Sequence, residues 1–274
     1  MRIQLTEKGF SICKTVEREN AYIVKIGENG KKFVEKNTVA FSFLNVSDGN
    51  SKTGNAVNFN LPIEYTCGHA CECYKSALCY AEQGCYCFAD NQALYSENLN
   101  FFLDHTNKEF IDGLQIAIDY FNYSMFRYFT CGDIPNTRFF KCMVQLAKNN
   151  PSIRFWSYTK KYEIVNKWID ENGDLPENLT IIFSHWLNKD GTYYPMNNRH
   201  NLPTSEFIPM GHESIIDDNW HVCPCSDPTV KATCETCDRP CYKLKNGEHM
   251  ALLEHSTKET KTRDKALREA KSKL

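Results

Sequence analysis

The sequence predicts an α/β protein whose strands form a parallel sheet, and two observations predict it. Between residues 126 and 184, runs rich in aromatic and β-branched residues alternate with stretches whose apolar residues recur at helical spacing. Such alternation is the signature of right-handed βαβ units. A further strand-like run, 56–62, leads directly into a thiol-rich loop. In parallel sheets the residues that carry chemistry sit just past the carboxyl ends of the strands.

Taken in order, residues 1–55 read as a β-rich lead-in. The runs 21–26 and 39–44 have the composition of strands, and 48–55 is a loop by its turn residues. After the cysteine loop, Leu94, Tyr95, Leu99, Phe102 and Leu103 fall at helical spacing and predict a helix over 90–103, followed by another at 108–121. Aromatic residues at these positions belong to a core rather than to a cofactor box. Residues 126–130 read as a strand, Cys131-Gly132-Asp133 as a turn, and 137–148 as a helix stopped by Asn149-Asn150-Pro151. The strand 153–158, a helix over 161–171 closed by Asn172-Gly173, and the strand 179–184 complete the regular part. Around Pro195, Pro203 and Pro209 the pattern weakens, with a short strand at 206–210, another at 250–253 and a charged helix from 258 to the end. The chain is thereby divided into the lead-in, a βα domain at 56–222, and a cysteine-rich segment with the charged helix at 223–274.

Composition restricts the function classes. With 42% apolar and 24% charged residues, a net charge of −2 and 274 residues, the chain is an ordinary globular protein with room for one large core. It has no global field to attract nucleic acid. Neither an apolar signal region at the N-terminus nor a run of 18 apolar residues is present in the sequence, so a cytosolic location without membrane insertion is expected. In that compartment thiols stay reduced, and 14 cysteines point to metal binding or catalysis rather than to disulfides.

Six cysteines lie in 67–87 and five in 223–241, which predicts two metal-binding segments. Cys67, Cys71, Cys73 and Cys79 are soft donors close enough in sequence to wrap one zinc ion or one iron–sulfur cluster. One residue between Cys71 and Cys73 is tight for both to bind, so Cys67, one of that pair, and Cys79 make three ligands and leave an open position. A closed structural zinc site using all four is the competing reading. In the C-terminal group, Cys234 and Cys237 have zinc-knuckle spacing and Cys223 and Cys241 complete four ligands, for zinc or for a [4Fe–4S] cluster; Cys225 is spare. Cys13 and Cys142 read as small buried hydrophobes. The strand-end rule brings the loop 67–79, Cys131-Gly132-Asp133, Thr159-Lys160-Lys161 and Ser184-His185-Trp186 to one face.

Four features, spread over 56–255, resemble the phage gene product 88 family, a group similar to the radical S-adenosylmethionine (SAM) enzymes. They are Asn58-Phe59-Asn60-Leu61-Pro62 leading to Cys67 and ending in Cys79-Tyr80-Ala81; Phe126-Arg127 followed by Gly132-Asp133; Pro151 through Phe155-Trp156-Ser157-Tyr158-Thr159-Lys160; and the Cys223-Pro224, Cys234, Cys237, Cys241-Tyr242 tail. The resemblance implies a partial, three-quarter-like parallel βα barrel carrying a [4Fe–4S] cluster on Cys67, Cys79 and Cys73 or Cys71. It implies SAM as cofactor, with contacts from Gly132, Asp133, Lys160 and Ser184, and an electron donor such as flavodoxin or ferredoxin. A phage protein of this kind would act in the cytoplasm of the bacterial host. Cys131 stands where radical SAM enzymes usually have the first glycine of a Gly-Gly-Glu turn, Asp133 replaces its glutamate, and Cys85 and Cys87 have no counterpart. The expected function is reductive cleavage of SAM to modify a substrate. The alternative from a different class is a zinc-stabilised nucleic-acid-binding or interaction module without catalysis; the basic tail after 258 reads as a solvated helix.

Overall fold

The computed structural model describes residues 2–6, 9–26, 32–68, 71–75, 79–82, 86, 88–187, 190–209, 211–226 and 230–254. Its strands are β1 (Arg2–Thr6), β2 (Gly9–Ile26), β3 (Lys32–Asn50), β4 (Gly54–Phe59), β5 (Met125–Tyr128), β6 (Arg154–Thr159), β7 (Leu179–Trp186), β8 (Thr204–Ile208), β9 (His221–Val222) and β10 (His249–Leu253). They form one mixed sheet in the order β1-β2-β3-β4-β5-β6-β7-β8-β10-β9. Pairing is antiparallel from β1 to β4 and parallel from β4 onward. The sheet is not closed into a barrel, since β1 and β9 each have a neighbour on one side only among the described residues.

The helices are α1 (Ile63–Thr66), α2 (Glu72–Lys75), α3 (Ala89–Asp104), α4 (Asn107–Phe121), α5 (Thr137–Asn149) and α6 (Tyr162–Asn172). Their limits are written locally. A capping box joins Thr106 and Glu109 at the start of α4, and Asn122 ends it in the left-handed region at φ 51°. The Asn136 side chain caps α5, and Gly173 closes α6 at φ 81°. Among the described residues no helix is long and apolar enough to cross a membrane.

Strand periodicity then sorts the sheet into two unlike faces. Val57, Phe59, Phe126, Tyr128, Phe155, Ile181 and Phe183 pack in one large core with Phe102, Phe110, Phe139, Phe140, Val165 and Trp168 of the helices. The alternate residues Ala56, Met125, Trp156 and Ile182 turn to the opposite face, where they meet Cys241, Leu244 and Met250. Helices therefore cover one face, and the C-terminal cysteine segment lies against the other.

Helices and central strands fall within a few residues of their predicted positions. In the lead-in the strands are longer than composition indicated. The predicted loop 48–55 shrinks to a turn at 51–53, because β3 runs to Asn50 and β4 begins at Gly54. Asn50 and Thr53 hold this turn through side-chain bonds, the Asn50 Oδ1 accepting from the Lys52 and Thr53 amides. Polar turn residues thus extend into paired strands whose ladder satisfies their backbone. The strand predicted at 56–62 ends at Phe59, since Pro62 caps α1. The predicted helix from 258 lies outside the described residues.

Candidate functional site

A cavity of about 820 Å³ opens at the carboxyl ends of β4 to β7 and is bordered also by α1, α2 and α3. Cys67, Cys71, Cys73 and Cys79 line one side, and Cys223, Cys225, Cys234 and Cys241 line another. Gly132, Asp133, Lys160 and Ser184 also face it. The four strand-end segments named from the sequence therefore converge in space, with one exception in direction. His185 turns away: its Nδ1 is 2.9 Å from Glu206 Oε1 and its Nε2 3.0 Å from the Tyr194 carbonyl, a structural engagement that uses both ring nitrogens.

The first cysteine group is carried by the short α1 and α2. Cys67 caps α1 through its amide, which donates to the Ile63 carbonyl at 2.9 Å, and Cys71 leads into α2. Cys73 and Cys79 are buried with Cys131, Ala81, Tyr95 and Trp186 in an apolar cluster. The Sγ atoms of Cys71 and Cys73 are 3.0 Å apart. Tetrahedral zinc with Zn–S bonds of about 2.3 Å separates its sulfurs by roughly 3.8 Å, so these rotamers allow one of the two thiols to serve as a ligand and not both. Burial pushes the Cys67 thiol well above its ordinary value, and the thiol–thiol bond to Cys73 does the same to Cys71. Cys73 has opposing effects: accepting from Cys71 lowers it, while its bond with Cys79 and burial raise it, to about 11. In the metal-free protein these thiols hold their protons at neutral pH. Among the described residues no three cysteine, histidine, aspartate or glutamate side chains stand where they could hold a single metal ion. The donor set itself, buried thiols opposite a cation, has the chemistry of a thiolate-bound metal group.

That cation is Lys160. Its Nζ donates to Ser184 Oγ at 2.9 Å and lies 4.8 Å from the centre of the Trp186 ring. Burial works against its charge, yet the neighbouring Cys73, Cys71, Asp133 and Cys67 raise its pKa above the ordinary lysine range. It stays an ammonium facing the thiols.

Asp133 joins three elements. Its Oδ1 accepts from Thr159 Oγ1 at 2.6 Å and the Ile134 amide at 2.7 Å, and its Oδ2 accepts from the Lys160 amide at 3.0 Å. Its own amide donates to Thr66 Oγ1 at 3.0 Å, which ties the turn to α1. Burial raises this carboxyl, and those donors pull it back in part. Next to it, Asn60 Oδ1 gathers the amides of Thr130 and Cys131 and the Thr130 hydroxyl, locking the end of β4 to the end of β5.

Gly132 has a structural role besides the one its motif implied. At φ +92°, a Cβ there would lie 2.5 Å from the Leu61 carbonyl oxygen, so the close approach it permits is that of the β4–α1 connection. Gly132→Ala combines a left-handed backbone with a backbone clash. It is expected to cost roughly 2–4 kcal/mol, checked by urea denaturation; a loss under about 1 kcal/mol would contradict this account.

The C-terminal group gathers more thiols than the spacing singled out. Cys223, Cys225, Cys234 and Cys237 interact electrostatically, and Cys225, the spare, is pushed to about 12 chiefly by burial. Cys241 is buried with its Sγ 3.5 Å from Met250 Sδ. The group is anchored to the β3–β4 turn, where the Cys234 amide donates to the Lys52 carbonyl at 2.8 Å. Cys142 is a core residue, as its isolation suggested. Cys85 and Cys87 lie outside the described residues. Sequence reasoning gave no role to Arg127, which lines the cavity between the two groups; a charged residue inside an otherwise apolar strand was the available signal.

No curated protein and no solved structure matches the chain. The family model described as gene product 88 matches residues 27–267. That span contains both cysteine groups and every strand from β4 to β10, so the cavity lies wholly within the matched region: the chain belongs to the gene product 88 family.

Proposed function

We propose that this protein is a radical-SAM-like iron–sulfur enzyme in which Cys67, one of Cys71 and Cys73, and Cys79 hold a [4Fe–4S] cluster, with a partial-barrel arrangement of the parallel strands around it. The observation that carries this reading is the opening of both cysteine groups onto one cavity at the carboxyl end of a parallel sheet. When bound, such a cluster supplies the one-electron cleavage of SAM and the abstraction of a hydrogen atom from a substrate.

The chain's own residues have definite parts in this reading. The Lys160 ammonium offsets the negative charge of thiolate ligands, and Ser184 holds its Nζ in place. Asp133 fixes the Lys160 backbone and keeps acceptor capacity on Oδ2, which takes a single bond from the protein. Gly132, Asp133, Lys160 and Ser184 are the proposed contacts for SAM. Trp186, Tyr95 and Cys131 exclude water from one side of the thiols. The second group, Cys223, Cys234, Cys237 and Cys241, holds zinc or another [4Fe–4S] cluster. Reduction requires an electron donor such as flavodoxin or ferredoxin in the cytoplasm of the host.

Protein purified anaerobically is expected to be brown, to contain iron and sulfide, and to yield 5′-deoxyadenosine when SAM and dithionite are added. Mass spectrometry of the products decides the matter. A fully reconstituted cluster that yields none sinks the radical mechanism. Colourless protein with stoichiometric zinc in both groups would replace it with the zinc-stabilised binding module.

A further inference from the structure

Two buried donors beside the C-terminal thiols lack an acceptor. Arg127 Nε on β5 and Trp156 Nε1 on β6 are buried without a hydrogen-bond partner among the described residues. The two residues are paired in register and so point to the same face of the sheet, the one against which the C-terminal cysteines lie. Arg127 lines the cavity together with Cys223, Cys225, Cys234 and Cys241. Trp156 packs in one apolar cluster with Cys241, and Cys223 and Cys234 lie against that cluster. Asn58 Oδ1, opposite Arg127 on β4, is unpartnered as well and does not take the bond. A buried N–H without an acceptor is costly, and native proteins leave few of them without a reason.

The thiols supply a reason once they are ionised. A thiol sulfur accepts weakly, whereas a thiolate carries charge and accepts strongly. Metal loading converts one into the other, since each ligand gives up its proton to solvent. Four thiolates around zinc or around an oxidised [4Fe–4S] core leave a net charge of about −2. A guanidinium and an indole N–H offset that charge, and they have no such task beside neutral thiols. The surroundings already turn a donor toward sulfur. Tyr158, two residues beyond Trp156 on the same face, places its hydroxyl 3.8 Å from Met250 Sδ and bonds the Cys241 thiol. The Arg127 guanidinium carbon lies 5.4 Å from the centre of the Tyr158 ring. Burial raises the Cys234 thiol, and Arg127 is the largest influence in the opposite direction.

We propose that Arg127 and Trp156 are positioning residues for a metal group on the C-terminal cysteines, donating N–H···S hydrogen bonds to its thiolates, with Arg127 serving that of Cys234. This rests on the reading that those cysteines hold zinc or a cluster, and it is independent of radical chemistry at Cys67 to Cys79.

Zinc binding by the metal-stripped full chain, measured by competition with a chelator, tests it. The C-terminal site is the one that Cys237→Ser removes. There Arg127→Met should bind zinc at least about tenfold more weakly, and Trp156→Phe, which keeps an aromatic ring without the donor, about threefold or more. Arg127→Lys keeps the charge without the Nε donor and should fall between the unaltered protein and Arg127→Met. Zinc affinity at the first cysteine group should not change. With cobalt(II) in place of zinc, the sulfur-to-metal charge-transfer band should move to longer wavelength in Arg127→Met, because an N–H···S bond lowers the energy of the sulfur lone pairs. Without metal, Arg127→Met should melt no lower than the unaltered protein, since it removes a donor that has no partner there. Arg127→Gln repeats the measurements if the methionine variant does not fold. The proposal is overturned if Arg127→Met binds zinc at the C-terminal site as tightly as the unaltered protein does. It is also overturned if Arg127→Met melts lower without metal and weakens both sites alike, which marks a packing role. No zinc at the C-terminal site of the unaltered chain would overturn the metal reading of that group along with the proposal, whereas normal uptake unaffected by Arg127→Met removes the proposal alone.

Discussion

Replacing Asp133 by alanine should destabilise the protein by about 3 kcal/mol or more, because removing one partner of a buried polar network strands the rest at roughly 1–3 kcal/mol each. The groups left behind are the Thr159 hydroxyl and the amides of Ile134 and Lys160, all now bonded to the carboxylate. Relief from burying a charge offsets part of the loss. Asp133→Asn tests the same account with less disruption: its oxygen can still accept from Thr159 and Ile134, while its amide meets the Lys160 N–H donor against donor. It should therefore lose less than the alanine variant. Urea denaturation of both provides the check. A cost below about 1 kcal/mol for Asp133→Ala would mean that the turn after β5 is held by something other than this carboxylate. A real loss would reach the cavity too, since Asp133 fixes the backbone from which Lys160 reaches Ser184.

The second large effect concerns metal uptake and pH. Burial holds the Cys67 proton, the thiol–thiol bond holds that of Cys71, and Cys73 titrates only at about 11. A metal ion binds thiolates, so each ligand must release its proton on loading. The sign follows directly. Below these pKa values the protons compete with the metal, and affinity falls as pH falls throughout the range below about 11. Each displaced proton contributes about tenfold per pH unit, so a site with three thiolate ligands should bind zinc on the order of a hundred- to a thousandfold more weakly at pH 6 than at pH 7. Competition with a chelator of known affinity measures this, and a weakly buffered titration counts the protons released. Fewer than about one proton per metal would show that the thiols are already ionised or are not ligands.

Much of the fold was legible because local chemistry and tertiary packing agree there. The helices α3 to α6 have apolar residues at the spacing of a buried face, and a capping box, an asparagine cap or a glycine stop marks several ends. The strands β5, β6 and β7 are dense in aromatic and β-branched residues because both faces are covered, one by helices and the other by the cysteine segment. Alternation reveals little in such strands. For that reason the sequence did not indicate which residues face helices and which face the cavity. The lead-in was legible only in part, because β2 and β3 pair through residues that are polar as well as apolar. Pairing between strands satisfies their backbone, and composition alone does not record it.

The sequence by itself determined the chemistry available: two dense groups of thiols, the Gly132-Asp133 turn, and strand ends that bring Lys160 and Ser184 into play. Only the tertiary structure decided how those groups relate. It brought the two cysteine groups, about 150 residues apart in sequence, to one cavity. It also assigned the space beside Gly132 to Leu61, turned His185 away, and buried the Arg127 Nε with no hydrogen-bond partner among the described residues. The physical reason is that spacing along a chain fixes which donors exist and which neighbours share a turn, whereas charge compensation and close approach depend on distances across the sheet, which are set by strand order and register.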